Sequence, residues 1–388
     1  LEVISQFNII RVFKIVSLEI ISLATISGQW IVLTGWTKVV KSGAAMSVDV
    51  IQFDMQTPDD LLALREALRA RGPARIRRLA LLMRVAGEYT DGSREKARGA
   101  VKALLEELAL ADRSEYITVI GAEGASTPCG YALVDMNESD GGGDRRLAIG
   151  LARVAPPTEV TIGAASFAFD VRAAVESALR DGDMSADDVE TVIVNVPQPT
   201  TGDVGFRARK GRAAAALGAG LAIGEVRESA ISDDVIVTDG ELFAKRVQTF
   251  TGPAIENIEV IAIGNRAGAG GNFFACNVIT RDLLDVRSLK RMLVNAGLPL
   301  DCDGELDTGR LVATIAKLGV HPSGYVAGAP TTIFGSATPP EKHVRGALSG
   351  VLGAALHTTR IFSTFDPIQQ APLGGGTICC ILRAEGEQ

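Results

Sequence analysis

Three apolar runs in this chain end on a polar residue: LALLMR at Leu79–Arg84, TVIVN at Thr191–Asn195 and VATIAK at Val312–Lys317. Each reads as a strand delivering Arg84, Asn195 or Lys317 at its end, where ligands commonly meet α/β folds. Arginines recur behind them near the starts of helical patterns: Arg94 or Arg98, then Arg212, then Arg345. Three guanidinium groups turned toward one cavity would suit a planar, carbonyl-rich or anionic ring, because arginine offers a rigid fork of donors. Taken singly, each of these arginines reads as solvated helix surface; recurrence is what favours a site. The second strand of each unit supplies another set of equivalent positions: Ile120 with Gly121, Phe250 with Thr251 upstream of the next strand, and Ser363 with Thr364. Only the last combines hydroxyls with a lysine. Lys317 beside Ser363 or Thr364 would form a nucleophile–base pair if burial or nearby cations depress the amine's pKa.

Elements that position these residues repeat in order. Each unit opens on an amphipathic helix pattern, DDLLALREALRARG, FDVRAAVESALRDG or VRSLKRMLVNAG, and then runs into its polar-ended strand. A second helix follows, beginning near Ser93, Arg209 or Glu341. Two further strands come next: YITVIGAEG and RLAIGLAR, then IEVIAIGNRAGAGG and NFFACNVITRD, then TTRIFSTF and TICCILRAEG. A helix, strand, helix, strand, strand unit thus occurs three times, with boundaries expected at 46–155, 156–281 and 282–388. The expected fold class is α/β, with three similar domains around a pseudo-threefold axis in a barrel-like assembly and the site at its centre. One large doubly wound sheet fits the same elements without any repeat.

Composition narrows the partners. With 388 residues, 47% hydrophobic and 5% aromatic, the chain has the makings of packed α/β layers. A formal charge of −7 and the lack of a basic patch argue against nucleic acid, leaving a small molecule as the expected partner. Five cysteines without a CxxC pair, and three scattered histidines (His321, His343, His357), do not make a disulfide framework, a zinc site or an HExxH motif. Residues 1–45 read as a leader or extension foreign to the fold, with no apolar run long enough to span a bilayer. GNRAGAGG at Gly264–Gly271 lacks the lysine of a phosphate loop and reads as a tight turn between strands. APLGGG at Ala371–Gly376 is either an ordinary loop or a place where backbone groups approach a ligand or cation.

Five segments in a shared order carry a resemblance: EGASTP at Glu123–Pro128, LGAGLAIGEV from Leu217, VIAIGNRAGAGG from Val260, AKLGVHPSG around Lys317, and QAPLGGG at Gln370–Gly376. Through them residues 46–388 resemble the cyanuric acid hydrolases and barbiturases, ring-opening amidohydrolases. The resemblance implies three similar domains around a pseudo-axis and a ring held by one Lys, Arg and Ser set from each. It implies a lysine-activated serine of the second domain as nucleophile, no required cofactor, a possible structural divalent cation at Gln370, Pro372 and Gly375, and a homo-oligomer. A cytoplasmic location is expected. The chain departs from this pattern: Arg84 and Asn195 stand at the first two lysine positions, and Ile120, Phe250 and Thr364 at the serine positions, with Thr251 beside the second. Arg94 and Arg212 fit the arginine positions, and Arg345 falls one residue out of register. Two functions follow. One is cyclic amide or imide ring opening with Lys317 as base or electrostatic stabiliser and Thr364, Ser363 or water attacking, around a cavity made more apolar by Phe250. The other is a homologue that binds a planar ring, or catalyses a proton transfer or rearrangement, without hydrolysis.

Overall fold

The computed structural model describes residues 9–11, 21–26, 29–34, 47–88, 91–121, 123–136, 144–155, 158–335 and 337–385. The chain divides into two compact units, 1–43 and 44–388. In the first, β1 (Ile9–Arg11), β2 (Ile21–Ile26) and β3 (Gln29–Thr34) form an antiparallel sheet. The remainder of the 1–45 extension lies outside the described residues.

The second unit contains three four-stranded sheets of one topology. The first is built from β4 (Ser47–Asp54), β5 (Ile76–Val85), β6 (Ser114–Ile120) and β7 (Cys129–Met136). The second uses β8 (Arg145–Val154), β9 (Val189–Pro197), β10 (Val247–Gly252) and β11 (Ile258–Ala267). The third uses β12 (Phe273–Thr280), β13 (Leu311–Leu318), β16 (Phe362–Phe365) and β17 (Gly376–Arg383), with a small hairpin of β14 (Tyr325–Val326) and β15 (Ala329–Pro330) between. In every sheet the spatial order is first, fourth, second, third, and only the second and third strands run parallel. That pairing requires a crossover, and a helix supplies it: α2 (Ser93–Glu107), α4 (Val204–Ala222) or α6 (Pro340–Leu356). The first and second strands are likewise joined through α1 (Leu62–Arg71), α3 (Ala165–Gly182) or α5 (Val286–Asn295).

Three separate sheets replace the alternative of one doubly wound sheet. Sheet pairing also moves two strands. Arg145–Val154 pairs with β11 and Phe273–Thr280 with β17, so each opens the following sheet rather than closing the preceding unit. The equivalent of β7 and β17 is β11, not β6.

Strand alternation explains the unbroken apolar runs. Along β5, Ala80 and Leu82 enter a core cluster shared by all three sheets, whereas Leu79, Leu81, Met83 and Val85 pack against α1 and α2. Ile193 of β9 and Ala313 and Ile315 of β13 enter the same shared cluster, and their neighbours face their own helices. A strand buried on both faces has no polar side to show.

Close packing of α3 on α4 depends on Gly218, where a Cβ would lie 2.1 Å from the Ala168 carbonyl oxygen. Alanine in a helix is favoured over glycine by about 1 kcal/mol, while overpacking costs about 1–3 kcal/mol or more. The clash is with main chain, which no rotamer relieves, so Gly218→Ala should lower unfolding stability by about 2 kcal/mol net of propensity. A urea midpoint at or above that of the parent protein would refute this.

Candidate active site

Hydrogen-bond register places the three polar strand ends at matching positions in their own sheets. Arg84 lies opposite Val119, Asn195 opposite Phe250, and Lys317 opposite Thr364 on the parallel neighbour. Parity puts all six on the face that builds the shared core, in step with Leu82, Ile193, Ile315 and Phe362. Ile120 therefore gives way to Val119 as the equivalent position, because Ile120 packs with α1 and α2. Ser363 and Thr251 have the opposite parity and lie on the helix side of their strands. Thr364 and Lys317 are brought to one face; Ser363 is not.

Lys317 is 2% exposed, with Nζ donating to the Thr249 carbonyl and lying 4.5 Å from the centre of the Phe250 ring. Burial, and then the positive charge of Arg212, hold its pKa well below the usual lysine value, against an opposing pull from Asp366. An aromatic face attracts an ammonium by about 0.5–2 kcal/mol, less than the several kcal/mol that desolvation of an ion costs. Desolvation outweighs that attraction and favours the neutral amine. Beside it, the Thr364 Oγ1 is buried without a hydrogen-bond partner among the described residues. Phe250 also packs edge-on against Phe362, with ring centroids 5.7 Å apart, closing an apolar wall around the pair.

The other two strand ends are engaged differently. Asn195 donates from Nδ2 to Glu259 at 2.6 Å, and Glu259 accepts from Arg98 at 2.8 Å. Its amide is thus tied to a buried carboxylate. Arg84 is 2% exposed and donates to the Glu123 carbonyl at 3.4 Å, with Nε unpartnered among the described residues. Burial lowers its pKa.

The helix arginines form a cycle. Arg94, on α2, donates to the Thr251 carbonyl of the second sheet at 3.1 Å. Arg212, on α4, pairs with Asp366 beyond the third sheet's β16. Arg345, on α6, pairs with Glu123 beyond the first sheet's β6 at 3.3 Å and lies over the Phe365 ring at 4.9 Å. Each unit reaches into the next, and Arg345 plays the same part despite its one-residue offset. Burial alone would raise the Asp366 pKa, but Arg212, Arg209 and Lys317 override it and hold the carboxyl below its ordinary value.

Glu123, Glu259 and Asp366 were not singled out from the sequence. Glu123 and Asp366 each follow closely on a strand that ends at the site, which is the pattern that could have marked them.

Gln370, Pro372 and Gly375 offer only neutral oxygens, all in use: Gln370 Oε1 accepts from Thr249 N at 2.9 Å, Gly375 O from Gly319 N at 2.9 Å, and Pro372 O from Gly375 N at 2.9 Å. The nearby Asp366 carboxylate is taken by Arg212. Among the described residues no group of three or more His, Cys, Asp or Glu side chains could hold a metal. These residues bring no carboxylate of their own to a divalent cation.

Residues 49–383 match the family model described as amidohydrolase ring-opening protein. The chain belongs to the ring-opening amidohydrolase family. A cyanuric acid amidohydrolase of Methylobacterium sp. (strain 4-46) is 29% identical over 365 residues, covering 87% of this chain and 97% of that protein. A cyclic amide hydrolase of Azorhizobium caulinodans is 28% identical over 373 residues, covering 87% and 100%. A solved cyanuric acid hydrolase, described as an evolutionary innovation by structural concatenation, superposes with a TM-score of 0.79 at 25% identity, over 88% of this chain and all of that one. Within this family of ring-opening amidohydrolases, the chain carries its buried lysine on β13 alone among the three equivalent strand ends.

Proposed function

We propose that the protein opens the ring of a cyclic amide or imide, with the third unit carrying the reaction and the three units set around a pseudo-threefold axis. One observation carries this: Lys317, a buried amine of depressed pKa, shares a strand level and a face with Thr364, a buried hydroxyl without a hydrogen-bond partner among the described residues. Thr364 Oγ attacks the ring carbonyl carbon as its proton passes to Lys317 Nζ; the ring C–N bond then breaks and the proton passes on to the leaving nitrogen. Water hydrolyses the resulting ester, releasing the ring-opened acid. Arg84 and Arg94 face the carbonyl oxygens as they gain charge. Arg212 and Arg345 act through Asp366 and Glu123, and Asn195 through Glu259. No metal or other cofactor enters these steps. The family relation supports a small planar ring as partner, a homo-oligomer and a cytoplasmic setting; among the described residues no helix is long and apolar enough to cross a membrane.

Phe250 favours the second reading, a ring-binding protein without hydrolysis, because its ring lies against Lys317 where a substrate ring would have to fit. A panel of cyclic imides and pyrimidine diones, with ammonia or ring-opened acid as readout, separates the two. On the hydrolytic reading Thr364→Val loses about three orders of magnitude in turnover and Thr364→Ser retains most of it. Tight binding with no turnover across the panel would leave the second reading standing.

A further inference from the structure

Next to the reacting pair, a cavity of about 390 Å³ opens between the second and third units. Its size is that of a small-molecule site rather than a packing fault. Phe334, Phe365 and Leu373 line it, and Phe334 and Leu373 remain 50% and 45% exposed at its mouth. Large apolar side chains left half in water around a concave wall mark surface that a ligand would cover.

Its polar groups are few. Asp366 lies in the wall, paired to Arg212 and, at 3.5 Å, to Arg209, which also lines the cavity. Arg209 Nε is buried with no hydrogen-bond partner among the described residues. Glu341 adds a second carboxylate to the lining. The lining itself holds one guanidinium and two carboxylates, and Arg212, paired to Asp366 behind the wall, completes the charge balance, which disfavours an ionic ligand. Among the described lining residues the one unmet donor is Arg209 Nε, suited to a neutral carbonyl oxygen.

Thr364, Phe365 and Asp366 are consecutive. The first lies on the face of Lys317 and the second, of opposite parity, on the helix side, so the cavity lies across β16 from the pair. Asp366, just past the strand end, interacts with Lys317 and lines the cavity, joining the two places. We infer that the substrate is a neutral cyclic imide bearing an aryl or branched alkyl substituent. The substituent occupies this cavity, and a carbonyl of the same molecule accepts from Arg209. The assignment rests on the ring-opening reading for the position of the ring.

Calorimetric titration with 2-phenylsuccinimide and with succinimide tests it, in the Lys317→Ala background so that neither compound is consumed. The phenyl compound should bind at least about tenfold tighter. Adding Leu373→Trp, at a half-exposed position that tolerates bulk, should fill the cavity and erase the preference while leaving succinimide unchanged. Phe334→Ala, which removes a wall, should also reduce it and serves if the tryptophan variant does not fold by circular dichroism. Equal affinities for the two compounds, or a preference unmoved by both variants, would overturn the inference. Wild-type turnover measured in parallel tells the two proposals apart. A preference without turnover of either compound overturns ring opening and keeps the cavity site; turnover without a preference does the reverse.

Discussion

Lys317→Ala should abolish ring opening, with a fall in kcat/KM of about three orders of magnitude or more, in a protein that still folds. The argument begins with burial. At 2% exposure the amine has left water and, among the described residues, gained the Thr249 carbonyl, the Phe250 ring and a pull from Asp366 in exchange. Burial and the Arg212 charge therefore favour the neutral form. The unfolded chain holds Lys317 at a pKa of about 10.4. Between the depressed folded value and that value the unfolded state binds more protons, so stability rises with pH through the window and levels off above it. Lys317→Met keeps the packing and removes the titration, so it should flatten that slope and be as stable as the parent at neutral pH or more so. Activity has the matching signature: kcat/KM should climb with pH as the amine loses its proton, with its midpoint below the usual lysine value. Turnover by the methionine variant, or a pH profile that this substitution leaves in place, would remove Lys317 from the chemistry.

Much of this was legible in the residues. LALLMR, TVIVN and VATIAK are buried on both faces and so stand out as apolar runs, and their last residues occupy matching positions in their own sheets. β10 was hidden because its sequence, VQTFTG, is polar by residue type. The structure satisfies those groups from afar: Gln248 donates to the Ile315 carbonyl and Thr249 to the Arg212 carbonyl. A strand whose polar side chains bond to distant main chain, Gln248 across a unit boundary and Thr249 to its own unit's helix, has no period to read. The same distance hid Glu259, 64 positions from Asn195 and 161 from Arg98. Parity, which places Thr364 with Lys317 and sets Ser363 apart, follows from strand register and could not be fixed while the partner strand was unknown. The cycle of arginines escaped for a related reason. Its partners are a main-chain carbonyl in one unit and carboxylates in the other two, so no common residue type marks it.

Glu259→Ala should destabilise the fold by about 3–5 kcal/mol, the cost of breaking a buried ion pair from one side. Glu259 is 4% exposed, and each carboxylate oxygen is committed, one to Arg98 at 2.8 Å and the other to Asn195 at 2.6 Å. Arg98 is itself 9% exposed and lies over the Tyr116 ring at 4.6 Å, so the variant leaves a guanidinium with little access to water and no counter-charge from Glu259. The exposed pair of Arg360 and Asp54 has comparable geometry at 2.7 Å. Losing it should cost no more than about 1 kcal/mol, because water replaces the partner. Burial, not distance, sets the difference. Glu259→Gln keeps the shape but not the charge and should fall between the two. Replacing both partners, as Arg98→Met with Glu259→Leu, removes the stranded charge and should recover much of the loss. Urea unfolding of the parent, the Arg98→Met and Glu259→Leu single variants and their double variant measures the coupling, and a Glu259→Ala variant within about 1 kcal/mol of the parent would show that water reaches Arg98. Activity gives the second readout. Asn195 loses its anchor in both the single and the double variant, so a double variant that regains stability but not turnover would show that Glu259 positions the second strand end for the reaction as well as holding the first two units together.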